Sequence, residues 1–124
     1  MARILVADDE ADVLEQLVDM LEYVGWQTGT AANGVEAVIS ALDESWDLVL
    51  MDIRMPKLDG INALRIIKHF HPNLPVVMFT GQAGQGDMLE SARLGAFTCL
   101  TKPIDTDKLT QVIHQALSHS ATLL

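Results

Sequence analysis

Two adjacent carboxylates, Asp8 and Asp9, a third at Asp52, a hydroxyl at Thr80 and an ammonium at Lys102 are the side chains best suited to chemistry in this sequence. They are spread along nearly the whole chain, so they act together only if folding gathers them. Carboxylates within a few ångströms of each other repel, and at least one resists ionisation unless a cation intervenes. A hard divalent cation removes that conflict. Magnesium suits such a set, because it takes oxygen ligands in octahedral geometry and keeps several waters beside one or two carboxylates. A carboxylate can also serve as a nucleophile and take a phosphoryl group. Lys102 and the metal would neutralise the equatorial oxygens of that group, and the Thr80 hydroxyl would donate to one of them. Nucleophile, metal, cation and donor together meet the needs of phosphoryl transfer onto one of the carboxylates.

Each of these residues closes a strand-like run. Arg3–Ala7 is short, apolar and β-branched and ends in Asp8-Asp9-Glu10. Asp47–Asp52 and Val76–Thr80 are two more such runs, and Phe97–Thr101 leads into Lys102-Pro103. A weaker run covers Trp26–Ala31. Helical spacing fills the intervals. Val13, Leu14, Leu17, Leu21 and Val24 share one face, stopped by Gly25. Val35, Val38, Ile39 and Leu42 follow the Asn33-Gly34 turn. Ala63, Ile66, Ile67 and Phe70 are expected inward on a third helix, and a short helix is expected from about Asp87 to Leu94. Leu109, Val112, Ile113, Ala116 and Leu117 mark the last.

Strands without polar alternation are buried on both faces, and right-handed strand-helix-strand crossovers make their sheet parallel. The expected architecture is an open, three-layer α/β fold of flavodoxin-like type, a parallel five-stranded sheet in the order 2-1-3-4-5. In such sheets ligands sit beyond the carboxyl ends of the strands where the order reverses, here between the first and third strands. That is where Asp8, Asp9 and Asp52 fall, with Thr80 and Lys102 on the neighbouring strand ends.

A chain of 124 residues, 49% hydrophobic and 20% charged, fits one globular domain, expected over 1–118, with 119–124 as a tail or the start of a linker. The net charge of −9 argues against direct nucleic-acid binding, since phosphate backbones are gripped by basic proteins. No apolar run approaches the roughly 20 residues of a membrane span, and no signal peptide is expected. The single Cys99 suits a reducing compartment, so the cytoplasm is the expected location. The glycine-rich stretch Gly81–Gly86 lacks the Gly-Lys-Ser/Thr ending of a nucleotide-binding loop. His69, His71, His114 and His119 show no ligand spacing, and Lys57, Lys68 and Lys108 read as solvated.

Four motifs, Ala-Asp8-Asp9-Glu, Met-Asp52-Ile-Arg-Met-Pro56-Lys-Leu-Asp-Gly60, Phe-Thr80-Gly81 and Leu-Thr-Lys102-Pro103, give the chain a specific resemblance. From about Arg3 to Ser118 it resembles the receiver domain of bacterial two-component response regulators. The resemblance implies that Asp52 is the phosphorylated aspartate. It implies that Asp9 binds magnesium directly, Asp8 directly or through a water, and that Asp52 and the backbone carbonyl of Arg54 are further ligands. Lys102 would pair with the phosphoryl group, Pro103 would follow it in a cis peptide, and Thr80 would move toward the group. The implied donor is a sensor histidine kinase or a histidine phosphotransfer protein. The implied output is a conformational shift read by an output domain or effector on the face of the fourth helix, fifth strand and fifth helix, with a homodimer as a further option.

One position departs from the family pattern. Receivers usually carry Tyr or Phe three residues before the lysine, and here that residue is Cys99. A thiol has no ring to swing, so the active-state change is expected to run through Thr80 and the glycine-rich stretch. Arg54 is a candidate to overhang the site and tune the phosphoryl lifetime. Two rivals stand beside a switch that catalyses only its own phosphorylation and dephosphorylation. A magnesium-dependent phosphatase of haloacid dehalogenase type would want an acid where Arg54 stands, and a cap insertion. A phosphorylation-independent docking module would not require Asp8, Asp9, Asp52, Thr80 and Lys102 together.

Overall fold

The computed structural model describes residues 1–81 and 85–123, with side chains for 1–81 and 86–120. Strands and helices alternate as β1 (Arg3–Ala7), α1 (Ala11–Val24), β2 (Gln27–Ala31), α2 (Gly34–Asp43), β3 (Leu48–Asp52), α3 (Gly60–Phe70), β4 (Val76–Thr80), α4 (Gln85–Arg93), β5 (Thr98–Thr101) and α5 (Thr106–Leu123). The strands form one parallel sheet in the order β2-β1-β3-β4-β5, as the sequence led us to expect. No helix among the described residues is long and apolar enough to cross a membrane.

The two-residue period of a strand sends successive side chains to opposite faces, so each central strand feeds two cores. Leu5, Val49, Met51, Val76 and Met78 pack with Ala37, Ala41, Ala63, Leu64 and Ile67 of α2 and α3. Ile4, Val6, Leu48, Leu50, Val77 and Phe79 pack on the other side with Leu17, Leu21, Leu109, Ile113 and Ala116 of α1 and α5. Every residue of β3 and β4 is buried. The continuous apolar runs therefore serve both layers, and the two acid-ended strands β1 and β3 lie side by side at the centre of the sheet.

Local signals end the elements where physical chemistry asks. Gly25 caps α1 in the left-handed region at φ 111°, and its N–H meets the carbonyls of Leu21 and Glu22. Asn33 and Asp59 cap α2 and α3, each accepting the N–H three residues on. At the end of the sheet away from the acids, the Arg3 guanidinium lies 4.5 Å over the Trp46 ring. Trp46 Nε1 donates to the Ser40 carbonyl at 2.9 Å. The same ring lies against Gly29 of β2 so closely that any Cβ there would collide with it.

Several expectations are corrected. In α2 the inward face is Gly34, Ala37 and Ala41, with Val38 partly buried, while Val35, Ile39 and Leu42 point outward, Ile39 with 53% of its surface exposed. Small residues let α2 lie close to the sheet and α3, and apolar spacing could not rank alanines against larger neighbours. Phe70 continues the buried Ala63–Ile67 face of α3 past the end of the sheet and is 59% exposed. Val24 is exposed at the end of α1, and Trp26 precedes β2 rather than starting it, buried with its ring 5.0 Å from that of His114. α4 starts two residues before the expected Asp87, and β5 one residue after Phe97. α5 runs to Leu123, through most of the stretch expected as a tail, and Ser120 Oγ donates to the Asn73 carbonyl. Lys68 is half-buried rather than fully solvated: its ammonium donates to the carbonyls of Pro72 and Leu74, and burial lowers its pKa.

Candidate functional site

The sheet brings Asp8, Asp52, Thr80 and Lys102 to one edge, at the switch point between β1 and β3. Backbone bonds fix the frame. Asp8 N–H donates to Ala31 O at 3.1 Å, Ile53 N–H to Phe79 O at 2.9 Å, and Lys102 N–H to Thr80 O at 2.9 Å. Each functional residue thus sits on the first backbone step beyond the ladder or on its last rung, which leaves little freedom to drift.

Lys102 is the hub. Its ammonium lies 3.1 Å from Asp8 Oδ2, 3.1 Å from Asp52 Oδ2 and 3.4 Å from Glu10 Oε1. It also stands 5.4 Å from the centroid of the Phe79 ring, which walls the site. The second oxygens of the two buried acids are held by backbone. Asp8 Oδ1 accepts Glu10 N–H at 2.8 Å, and Asp52 Oδ1 accepts Arg54 N–H at 3.1 Å. Asp8 and Asp52 are buried, as is Thr80, whereas Asp9 and Glu10 face solvent. The peptide between Lys102 and Pro103 is cis, as the resemblance implied.

Electrostatics follow from that burial. Desolvation raises the pKa of Asp8 and of Asp52 despite the lysine and the backbone donors, with a smaller push from Asp52 on Asp8 and from Asp9 on Asp52. Burial alone would lower the pKa of Lys102, but its hydrogen bonds and charge attraction to Asp8 and Asp52 outweigh it and raise the pKa. One ammonium therefore faces more negative charge than it can neutralise. Oxygens of Asp8, Asp9, Glu10 and Asp52 all lie within 4.8 Å of one another, a set of hard donors that fits a divalent cation. Glu10 is the member the sequence reading passed over; its only signal was its place directly after the acid pair.

Arg54 does not hang over the carboxylates. Its guanidinium turns to the first turn of α4 and pairs with Asp87 at 3.2 Å. Cys99 is half-buried against the α2–α3 side of the core. Burial pushes its thiol pKa up, and the nearby Asp87 carboxylate pushes it further. At mildly alkaline pH Cys99 should therefore alkylate with iodoacetamide more slowly than a free cysteine, and Asp87→Asn should speed it. Equal rates in the wild type and variant would remove Asp87 from the thiol's surroundings. Of the stretch Gly81–Gly86 expected to carry the switch, residues 82–84 and the side chain of residue 85 lie outside the described residues.

Fold and site together define a class: an open, doubly wound α/β domain with an acid cluster and a lysine at its switch point. The chain belongs to the response regulator receiver domain family, whose family model matches residues 4–114. It is 38% identical over 117 residues to the transcriptional regulatory protein ZraR of Klebsiella oxytoca, covering 94% of this chain and 26% of that protein. It is 39% identical over 122 residues to the CpxR homologue of Haemophilus influenzae, covering 98% of this chain and 53% of that protein. A crystal structure of a response regulator receiver domain protein from Clostridium thermocellum superposes with a TM-score of 0.93 at 33% identity, over all of both chains. The chain thus spans about a quarter to a half of the curated relatives named here. It is a receiver module of two-component signal transduction, a signalling switch.

Proposed function

We propose that Asp52 accepts the phosphoryl group, with Asp8, Asp9 and Asp52 holding magnesium, the Arg54 carbonyl completing the ligand set, and Thr80 and Lys102 binding phosphoryl oxygens. The observation that carries this is the sharing of Lys102 between two buried carboxylates within a four-acid cluster at the switch point. In the resting site the ammonium is shared between Asp8 and Asp52 and offsets part of their charge. Once phosphorylated, Asp52 presents a richer set of anionic oxygens at the same place, and Lys102 needs only a small shift to follow them.

The transfer balances simply. An Asp52 oxygen forms a bond to phosphorus as the bond from phosphorus to the donor breaks, and the electron pair leaves with the donor. For a histidine kinase or histidine phosphotransfer protein, that donor atom is an imidazole nitrogen. Bound magnesium would supply charge neutralisation of the transferring group. Water attacking the same phosphorus later restores Asp52 and releases inorganic phosphate. The module catalyses these two reactions on itself alone.

Relatives named as transcriptional regulators extend well beyond the matched region, which supports an attached output domain or effector for this receiver. The α4–β5–α5 face is the surface proposed to report the change, to that partner or to a second copy, and the cytoplasm is the proposed setting.

Incubation with acetyl phosphate followed by intact-protein mass spectrometry tests the reading. The expected result is one adduct that forms with magnesium and not with chelator. A folded protein that gains no adduct in either condition would sink it. The metal can be tested apart from transfer. Magnesium at about ten times its dissociation constant should raise unfolding free energy by roughly 1.4 kcal/mol. Asp9→Asn should abolish most of that gain, because Asp9 is exposed and contributes through the ion rather than through packing.

A further inference from the structure

α4 packs on β5 and α3. Among the described residues it contributes none to either apolar core cluster, and its Leu89 is exposed. Its one fully buried side chain, Ser91, has a hydroxyl without a hydrogen-bond partner among the described residues, which counts against the seated position. What joins α4 to the β3–α3 side is charge. Arg54 Nη2 meets Asp87 Oδ2 at 3.2 Å, and Arg65 Nη2 meets Glu90 Oε1 at 3.5 Å, with Arg93 also on Glu90 at 3.1 Å.

The first of these pairs touches the phosphoacceptor through backbone. The N–H of Arg54 donates to Asp52 Oδ1, so the guanidinium that holds Asp87 is anchored one side-chain length from the reacting carboxylate. We propose that Asp87 and phosphorylated Asp52 compete for Arg54, which makes Asp87 a positioning residue that couples the state of Asp52 to the seating of α4. The inference rests on Asp52 being the phosphoacceptor.

The charges set the direction. Unphosphorylated Asp52 has both oxygens engaged, one by Arg54 N–H and one by Lys102, so the guanidinium is left to Asp87. A phosphoryl group brings nearly two negative charges and three strong acceptor oxygens, in a geometry that an arginine fork matches well. Asp87 offers a single charge, and the pair is open to water, with 70% of the Arg54 side chain exposed. Exposed pairs of this kind hold an equilibrium by only about two- to fivefold, which a phosphoryl group can overcome. When Arg54 leaves, α4 keeps the Arg65–Glu90 pair and its packing on β5 and α3, with the unsatisfied Ser91 hydroxyl still counting against that seat.

Hydrogen exchange of the α4 amides, read by mass spectrometry alongside the intact mass, tests this in the full chain. In unphosphorylated protein, Arg54→Ala and Asp87→Asn should each speed α4 exchange by about two- to fivefold. Arg54→Ala leaves the Asp87 carboxylate at the helix N-terminus, so an equal effect assigns it to the pair rather than to the helix dipole. In wild type carrying the acetyl-phosphate adduct, α4 exchange should rise by a similar factor. In Asp87→Asn the adduct should add no further increase, and Asp87→Glu should restore both the slow exchange and the increment. An adduct on wild type with unchanged α4 exchange, or an undiminished increment in Asp87→Asn, overturns the competition alone. Failure of the adduct to form on wild type overturns the phosphoacceptor reading, and the competition with it.

Discussion

Asp52→Asn should take up no phosphoryl group from acetyl phosphate under conditions that label the wild type fully. The amide lacks the anionic oxygen that attacks phosphorus in the proposed transfer, and Asp8, equally buried and equally close to Lys102, is assigned to the metal in the same reading. The same variant should be more stable than the wild type in chelator at neutral pH. Burial raises the Asp52 pKa above the ordinary 3.8, so the folded state resists the charged form. For an acid with a raised folded pKa, the penalty is absent below the unfolded pKa. It grows as pH rises toward the folded value and is full above it. Lys102 keeps Asp8 and Glu10 when Asp52 loses its charge, so it is not stranded, and the substitution should gain on the order of 1 kcal/mol at neutral pH. The gap between the two melting curves should close as pH falls toward 4, the ordinary carboxylate range. Wild-type labelling that survives in Asp52→Asn would move the phosphoacceptor elsewhere; a variant less stable than wild type at neutral pH would mean that the Lys102 contact outweighs desolvation.

Gly60→Ala should have the largest effect on both stability and phosphorylation of any single methyl addition near the site. Gly60 opens α3 with its N–H on Ile53 O at 2.7 Å, and an added Cβ would run into the carbonyl of Asp52 and the Cα of Ile53. Those atoms are backbone and cannot step aside without moving Asp52 or the start of α3. Overpacking against main chain typically costs about 1–3 kcal/mol and occasionally more. A displacement of Asp52, the proposed nucleophile, by near 1 Å costs roughly a hundredfold in rate. Thermal unfolding and the rate of adduct formation measure the two parts separately. A variant that melts and labels like the wild type would show that the loop between β3 and α3 yields freely.

The strand ends were the most legible part of the sequence, because buried parallel strands carry long apolar runs and their polar terminations stand out. Asp8, Asp52, Thr80 and Lys102 could be placed at one edge from strand order alone, and the bridging of Asp8 to Asp52 by one ammonium follows from that order. Helix faces were harder to read. In α2 the periodicity fits the outward Val35, Ile39 and Leu42 as well as the inward Ala37 and Ala41, since spacing counts apolar residues without weighing how closely a helix must approach. The partner of Arg54 was out of reach for a different reason. It lies 33 positions away on α4, and the conformation of a long, exposed side chain is set by such distant charges, not by its neighbours in sequence.

The Trp46 ring over Gly29 bears on how the chain avoids misassembly. β2 is an edge strand, and a parallel edge can slide along its neighbour with little loss of hydrogen bonding. A slip of one residue turns every side chain to the opposite face and brings Thr28 or Thr30 to the point now occupied by Gly29. Either threonine would present a branched side chain to a ring that tolerates no Cβ at all. The indole, held by its bond to Ser40 and by the overlying Arg3, therefore acts as a gauge that accepts one alignment of the edge and rejects its neighbours. Its contribution lies in raising the energy of the wrong pairings, and shaving the ring to leucine should show up as heterogeneous refolding more than as a lowered melting point.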